Sequence, residues 1–148
     1  MLDGMRRRTA YAMALALTAV PAAPAAGAVK LPPDGATYRG SPGSVELLVS
    51  SRSIALAAFS TRCGTTRGRT NVNGIRLRRT REGYRFRLRV AVSITFEDGS
   101  ADENGEAVFR GRFSRTARSV RGVFWVRSPR CAKRDVAWFA RRSSTPPG

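Results

Sequence analysis

The chain of 148 residues contains no histidine. The commonest general base at neutral pH is therefore missing, and a serine–histidine–acid triad cannot be assembled. Zinc binding meets the same obstacle, because two isolated cysteines leave the remaining ligand positions unfilled. Gly-x-Ser-x-Gly elbows, Ser-x-x-Lys dyads and phosphate-gripping glycine loops do not occur either. Acidic residues number only 10, and five of them (Glu97, Asp98, Asp102, Glu103, Glu106) crowd into one stretch. Hydrolysis by a carboxylate pair needs two acids placed apart, which this distribution does not offer. These absences argue against an enzyme, and no cofactor or metal is expected.

Lysine is almost absent too. Lys30 and Lys133 are the two lysines among 27 basic residues, so the formal net charge of +17 is carried by guanidinium groups. Guanidinium grips phosphate and carboxylate bidentately and stacks on rings, which an ammonium does not.

Long apolar runs are also lacking, with one exception. Arg6, Arg7 and Arg8 precede an apolar run over residues 10–20, followed by Pro21, Pro24 and the small-x-small pattern Ala26-Gly27-Ala28. The run is too short for about 30 Å of hydrocarbon and has the form of a signal-peptide core. The spacing predicts a leader over 1–28, a linker over 29–36, a domain over 37–142 and a frayed tail over 143–148. A secreted or envelope location follows. An amphipathic or anchoring helix is the competing reading of the leader, unsupported by a polar flank or a second apolar segment.

What the chain does have is alternation. From Tyr84 to Phe96 every second residue (Tyr84, Phe86, Leu88, Val90, Val92, Ile94, Phe96) is aromatic or aliphatic. Between them stand Arg85, Arg87, Arg89, Ala91, Ser93 and Thr95. A period of two puts alternate side chains on opposite faces of an extended strand. Thirteen residues would span about 40 Å at roughly 3.3 Å each, long enough to coil across a barrel or sandwich. Phe86, Leu88, Val90 and Val92 are expected inside.

Shorter alternations flank it. Val45, Leu47 and Val49 form one, and Ser50-Ser51-Arg52-Ser53 reads as a tight turn. Residues 54–59 resume the pattern; alanine and leucine allow a helix there, but flanking serines and the β-branched or aromatic ends favour a strand. Residues 64–74 are Gly, Thr, Asn and Arg apart from Val72, expected as a loop with Arg67 and Arg69 exposed. Ile75 and Leu77 make a short strand, and 79–83 turn it into the long one. The stretch 97–106 reads as a solvated hairpin tip; its acids suit a calcium ion in type but not in spacing. Alternations over 107–113, 120–127 and 136–141 complete an all-β, antiparallel up-and-down meander of seven or eight strands, a small barrel or sandwich.

Cys63 and Cys131 are expected to pair, as two cysteines of a small exported domain generally do. The closed loop of 68 residues (131 − 63) corresponds to roughly 4 kcal/mol of chain entropy.

A resemblance emerges from the series Tyr38-Arg39-Gly40, Cys63, Phe109-Arg110-Gly111-Arg112-Phe113, Gly122-Val123-Phe124, Cys131 and Val136-Ala137-Trp138-Phe139-Ala140-Arg141. It is similar to small exported all-β domains with one disulfide and no assigned activity, from high-GC Gram-positive bacteria. The resemblance implies a β-fold and export, and brings no catalytic residues.

Three functions remain open. If the strand of Ile75 pairs with the long strand, Arg76, Arg78, Arg85, Arg87 and Arg89 share one face. That face would bind an anionic envelope polymer, a phospholipid membrane surface or nucleic acid. Its arginines also follow from GC-rich coding and from the polarity any solvent face needs. Alternatively Phe86, Phe109, Phe113, Phe124 and Trp138 line a barrel that holds an apolar ligand, or simply its core. The third reading is a purely structural envelope protein.

Overall fold

Each alternating stretch becomes a strand. The computed structural model describes residues 27–41 and 44–144, so the predicted leader lies outside the described residues except for its last two positions. Nine strands follow in chain order: β1 (Thr37–Ser41), β2 (Ser44–Ser50), β3 (Ser53–Cys63), β4 (Thr66–Arg76), β5 (Arg78–Arg79), β6 (Tyr84–Phe96), β7 (Ala101–Phe113), β8 (Ser119–Arg127) and β9 (Ala132–Arg142). Neighbours pair antiparallel, and β1 returns to pair with β9, Tyr38 opposite Arg142 and Ser41 opposite Phe139. The ring closes where β4 meets β6 through Gly68–Phe96 and Arg69–Thr95. The result is a closed eight-stranded antiparallel barrel, with β5 as a short extra strand beside β6. Closure leaves no continuous open edge to be capped.

Local chemistry explains the turns. Ser51 and Arg52 both take positive φ (47° and 65°) between the paired residues Ser50 and Ser53, the requirement of a two-residue turn that matches strand twist.

Two expectations are corrected. Residues 64–74 are not a loop: the turn is Gly64-Thr65 alone, and 66–76 form β4, paired with β3 from Cys63–Thr66 to Ser53–Arg76. Its inward positions, Gly68, Thr70 and Val72, are mostly small or polar and escape a hydrophobicity pattern. Thr70 is buried but satisfied, its hydroxyl donating to the Ser93 carbonyl at 3.0 Å across the closing seam. The acidic tip is likewise shorter than expected. The Phe96 amide donates to the Ser100 carbonyl at 2.8 Å, and β7 already begins at Ala101.

The interior is aromatic. Phe59 packs on Phe109 (centroids 4.0 Å apart) and Phe124 (4.8 Å), and Phe109 on Phe86 (5.0 Å) and Trp138 (5.2 Å). The rings that were candidates for lining a ligand cavity thus fill the middle of the barrel against one another. Phe86 and Val92 are buried as expected, whereas Leu88 and Val90 are only half-buried. Both lie along the part of β6 that β4 does not pair.

One end is sealed by residues 29–36, which form no strand yet are packed. Pro32 is fully buried, Val29, Leu31 and Ala36 rest on the core, and the Lys30 amide donates to the Arg115 carbonyl at 2.8 Å. The Cys63–Cys131 disulfide ties the end of β3 to the turn before β9, with Cα atoms 4.9 Å apart. Tyr38 is wholly buried and donates its hydroxyl to the Ala117 carbonyl at 2.6 Å. Burial pushes its pKa up to about 12, and Arg142 opposes the shift.

Candidate arginine cleft on the outer wall

The register of β5 to β9 decides how the outward side chains meet. On β6, Arg85 stands opposite Arg78 of β5 on one side and Arg112 of β7 on the other. Arg112 in turn opposes Arg121 of β8, and Arg121 opposes Phe139 of β9. Four arginines thus run in one row across four strands, at about 4.8 Å per strand. Two residues along, a second row holds Arg87 opposite Arg110, then Val123 and Ala137.

Between these rows lies an inward-facing row, Phe86–Gly111–Gly122–Trp138, also in register. The glycines are required by packing. A Cβ on Gly111 would stand 2.5 Å from the Phe86 ring, and one on Gly122 1.9 Å from the Arg110 carbonyl oxygen. On the outer side of this row, between the two arginine rows, lies an open cleft of about 1000 Å³. Its floor is Gly111 and Gly122 with the edges of Phe86 and Trp138, and its walls are the two arginine rows with Arg76. The end towards β9 is apolar, formed by Val123, Ala137 and Phe139.

The cleft's arginines are largely without counter-charge. Arg112 pairs with Glu82, and Arg110 lies 3.9 Å from Asp135. Among the described residues no ion pair is formed by Arg76, Arg78, Arg85, Arg87 or Arg121. Five of the seven cleft arginines therefore lack a counter-charge among the described residues, and the local field is strongly positive.

Of the five arginines picked out in the sequence, four line this cleft: Arg76, Arg78, Arg85 and Arg87. Arg89 shares their face of β6 but stands outside the cleft, held by Glu106. Its hydrogen bond to that carboxylate raises the Arg89 pKa, and the same bond holds Glu106 below the usual carboxylate range. Arg110, Arg112 and Arg121 were missed as site residues. Their signal was available, since each occupies the polar phase of its own strand's alternation. Two acids of this stretch are engaged elsewhere: Asp98 in the β6–β7 turn accepts from Ser100 and Arg130, and Asp102 at the start of β7 accepts from Ser128 and Arg130. Those hydrogen bonds, the ones from Ser100 and Ser128 foremost, lower both carboxyl pKa values.

Fold and cleft together define a small disulfide-closed β-barrel with an arginine-walled groove on its outer surface. No family model matches the chain, and no curated protein or solved structure does so either.

Proposed function

We propose that this protein is a non-catalytic binding module that takes an anionic, phosphate-bearing ligand in the cleft between β5 and β9. One observation carries the reading. Arg78, Arg85, Arg112 and Arg121 stand directly opposite one another across four strands, although like charges directly opposed destabilise a sheet. A bound polyanion removes that repulsion and offers each guanidinium a bidentate acceptor. The two flanking rows then hold the ligand over a floor that displaces water without competing polar groups. The disulfide and the arginine-rich surface support a place outside the cytoplasm, secreted or in the envelope, where anionic polymers and lipid headgroups are abundant.

Calorimetric titration with inorganic tripolyphosphate at about 50 and 200 mM salt tests the reading, because charge-driven association weakens across that range. Replacing Arg85 and Arg121 by Gln should lower affinity by about tenfold or more, since a hydrogen bond to a charged group contributes roughly 1.5–3 kcal/mol. Arg39→Gln, on β1 and outside the cleft, serves as control. Equal affinities for the parent and the double variant would show the row to be an ordinary solvated face.

A further inference from the structure

The apolar end of the cleft does not stop at its rim. Val123 is followed on the outer face of β8 by Trp125, which stands opposite Val108 of β7, while Ala137 and Phe139 continue the surface on β9. Phe139 is 42% exposed, and Val108, Val123 and Trp125 are half-buried. These five side chains form a contiguous apolar area on the outside of the barrel, where a monomer in water normally presents polar groups. Arginines surround it. Arg127 lies over the Trp125 ring at 5.9 Å and Arg141 over the Phe139 ring at 5.6 Å, with Arg110 and Arg121 on the cleft side. The neighbouring acids, Glu106 and Asp135, are drawn into pairs with Arg89, Arg127 and Arg110.

We infer that the outer wall of β7–β9 docks on an anionic phospholipid bilayer, with a lipid phosphate seated in the adjoining cleft. The inference rests on the cleft's being an anion site, and it names the source of the phosphate. Three features favour lipid over a nucleic-acid strand. The exposed rings already carry guanidinium groups on their faces, which leaves little room for base stacking. Arginine stems lying beside an apolar area can turn their heads outward to phosphates while the area enters the interface. The cleft is also polar at one end only, matching a molecule with one charged end and one apolar end. Contact is by one side, because Arg62 of β3 and Arg67 and Arg69 of β4, away from the cleft, also face outward and arginine on a lipid-facing wall is costly.

The two tryptophans make the test direct. Trp138 is in the core, 4% exposed, and meets only the cleft floor, so Trp125 is the ring that enters the interface on docking, and Trp125→Phe separates its response from any change at Trp138. The protein is mixed with vesicles of phosphatidylcholine alone or with phosphatidylglycerol added, and read by co-sedimentation, tryptophan emission and quenching by brominated acyl chains. Binding should be at least about tenfold tighter to the anionic vesicles, each interfacial arginine adding about 1 kcal/mol of attraction. Emission should shift to the blue and be quenched, and both changes should vanish in Trp125→Phe. Val108→Ser with Trp125→Ser, both outside the cleft lining, should weaken vesicle binding in co-sedimentation by at least about tenfold, the order expected from two apolar side chains, and leave tripolyphosphate affinity unchanged. Vesicle binding with no Trp125 response, or tighter binding of a single-stranded oligonucleotide than of anionic vesicles, would overturn the lipid assignment while the anion site stands. If the parent protein fails to bind tripolyphosphate, the anion site itself is refuted and the lipid seat with it.

Discussion

The arginine row has a thermodynamic signature independent of any ligand. Arg85 has an arginine directly opposite on both sides, Arg78 and Arg112, and Arg121 adds a further opposed pair with Arg112. Cross-strand pairs contribute roughly 0.2–1 kcal/mol each, with like charges on the unfavourable side. Solvent exposure places these pairs near the low end, and Glu82 offsets part of the charge of Arg112. Replacing Arg85 and Arg121 by Gln removes three repulsive pairs and should stabilise the barrel by about 1 kcal/mol at low ionic strength. For a domain of this size that is a rise in Tm of roughly 4 °C. The dependence on salt is the decisive part. The Debye length falls from about 30 Å at 0.01 M to about 3 Å at 1 M, so the gain should disappear in high salt. Urea or thermal unfolding of parent and variant at the two salt levels provides the measurement. A variant no more stable than its parent at low salt, or a gain that persists at 1 M, would refute the electrostatic reasoning.

Other consequences follow from the core, the disulfide and the buried tyrosine. Phe109→Ala should cost about 3–5 kcal/mol in chemical denaturation, as large aromatic truncations in a core do, whereas Leu88→Ala, at a half-buried position, should cost clearly less; equal losses would contradict the burial pattern of β6. Non-reducing mass spectrometry of the natively purified protein should detect no free thiol, and Cys63→Ser with Cys131→Ser should lose about 4 kcal/mol if loop entropy dominates. Because burial raises the pKa of Tyr38 to about 12, the unfolded chain ionises first, near pH 10. Stability should therefore be intact below pH 10 and fall by about 2 kcal/mol between pH 10 and 12, and that fall should be smaller in Tyr38→Phe when both are unfolded in urea across the range.

Much of this architecture is legible in single strands. The alternation of Tyr84–Phe96 defines β6 to the residue, because period-two burial is a local property of an extended chain. The faces of β7, β8 and β9 and the isolated cysteine pair could be read in the same way. Reading failed where inward positions are small or polar. Gly68 and Thr70 of β4 carry a loop-like local pattern because their burial depends on Ile94 and Ser93 across the closing seam. Residues 101–106 look like a turn in sequence because Asp102 draws its partners from Ser128 and Arg130, far along the chain.

Local alternation therefore identified most of the extended segments, the inward sides of β2 and of β6 to β9, and the arginine-rich character of the solvent side. Which arginines oppose one another was decided only by tertiary structure. Register is set by turn lengths and by irregularities such as those at Val92/Ile94 and Phe124/Val126, and shifting a strand by one residue exchanges its two faces. The same register brings Glu106 to Arg89, removing that arginine from the site, and sets Arg85, Arg112 and Arg121 in one row along the cleft. Those are contacts between strands, and no local pattern along one strand encodes its neighbour's position.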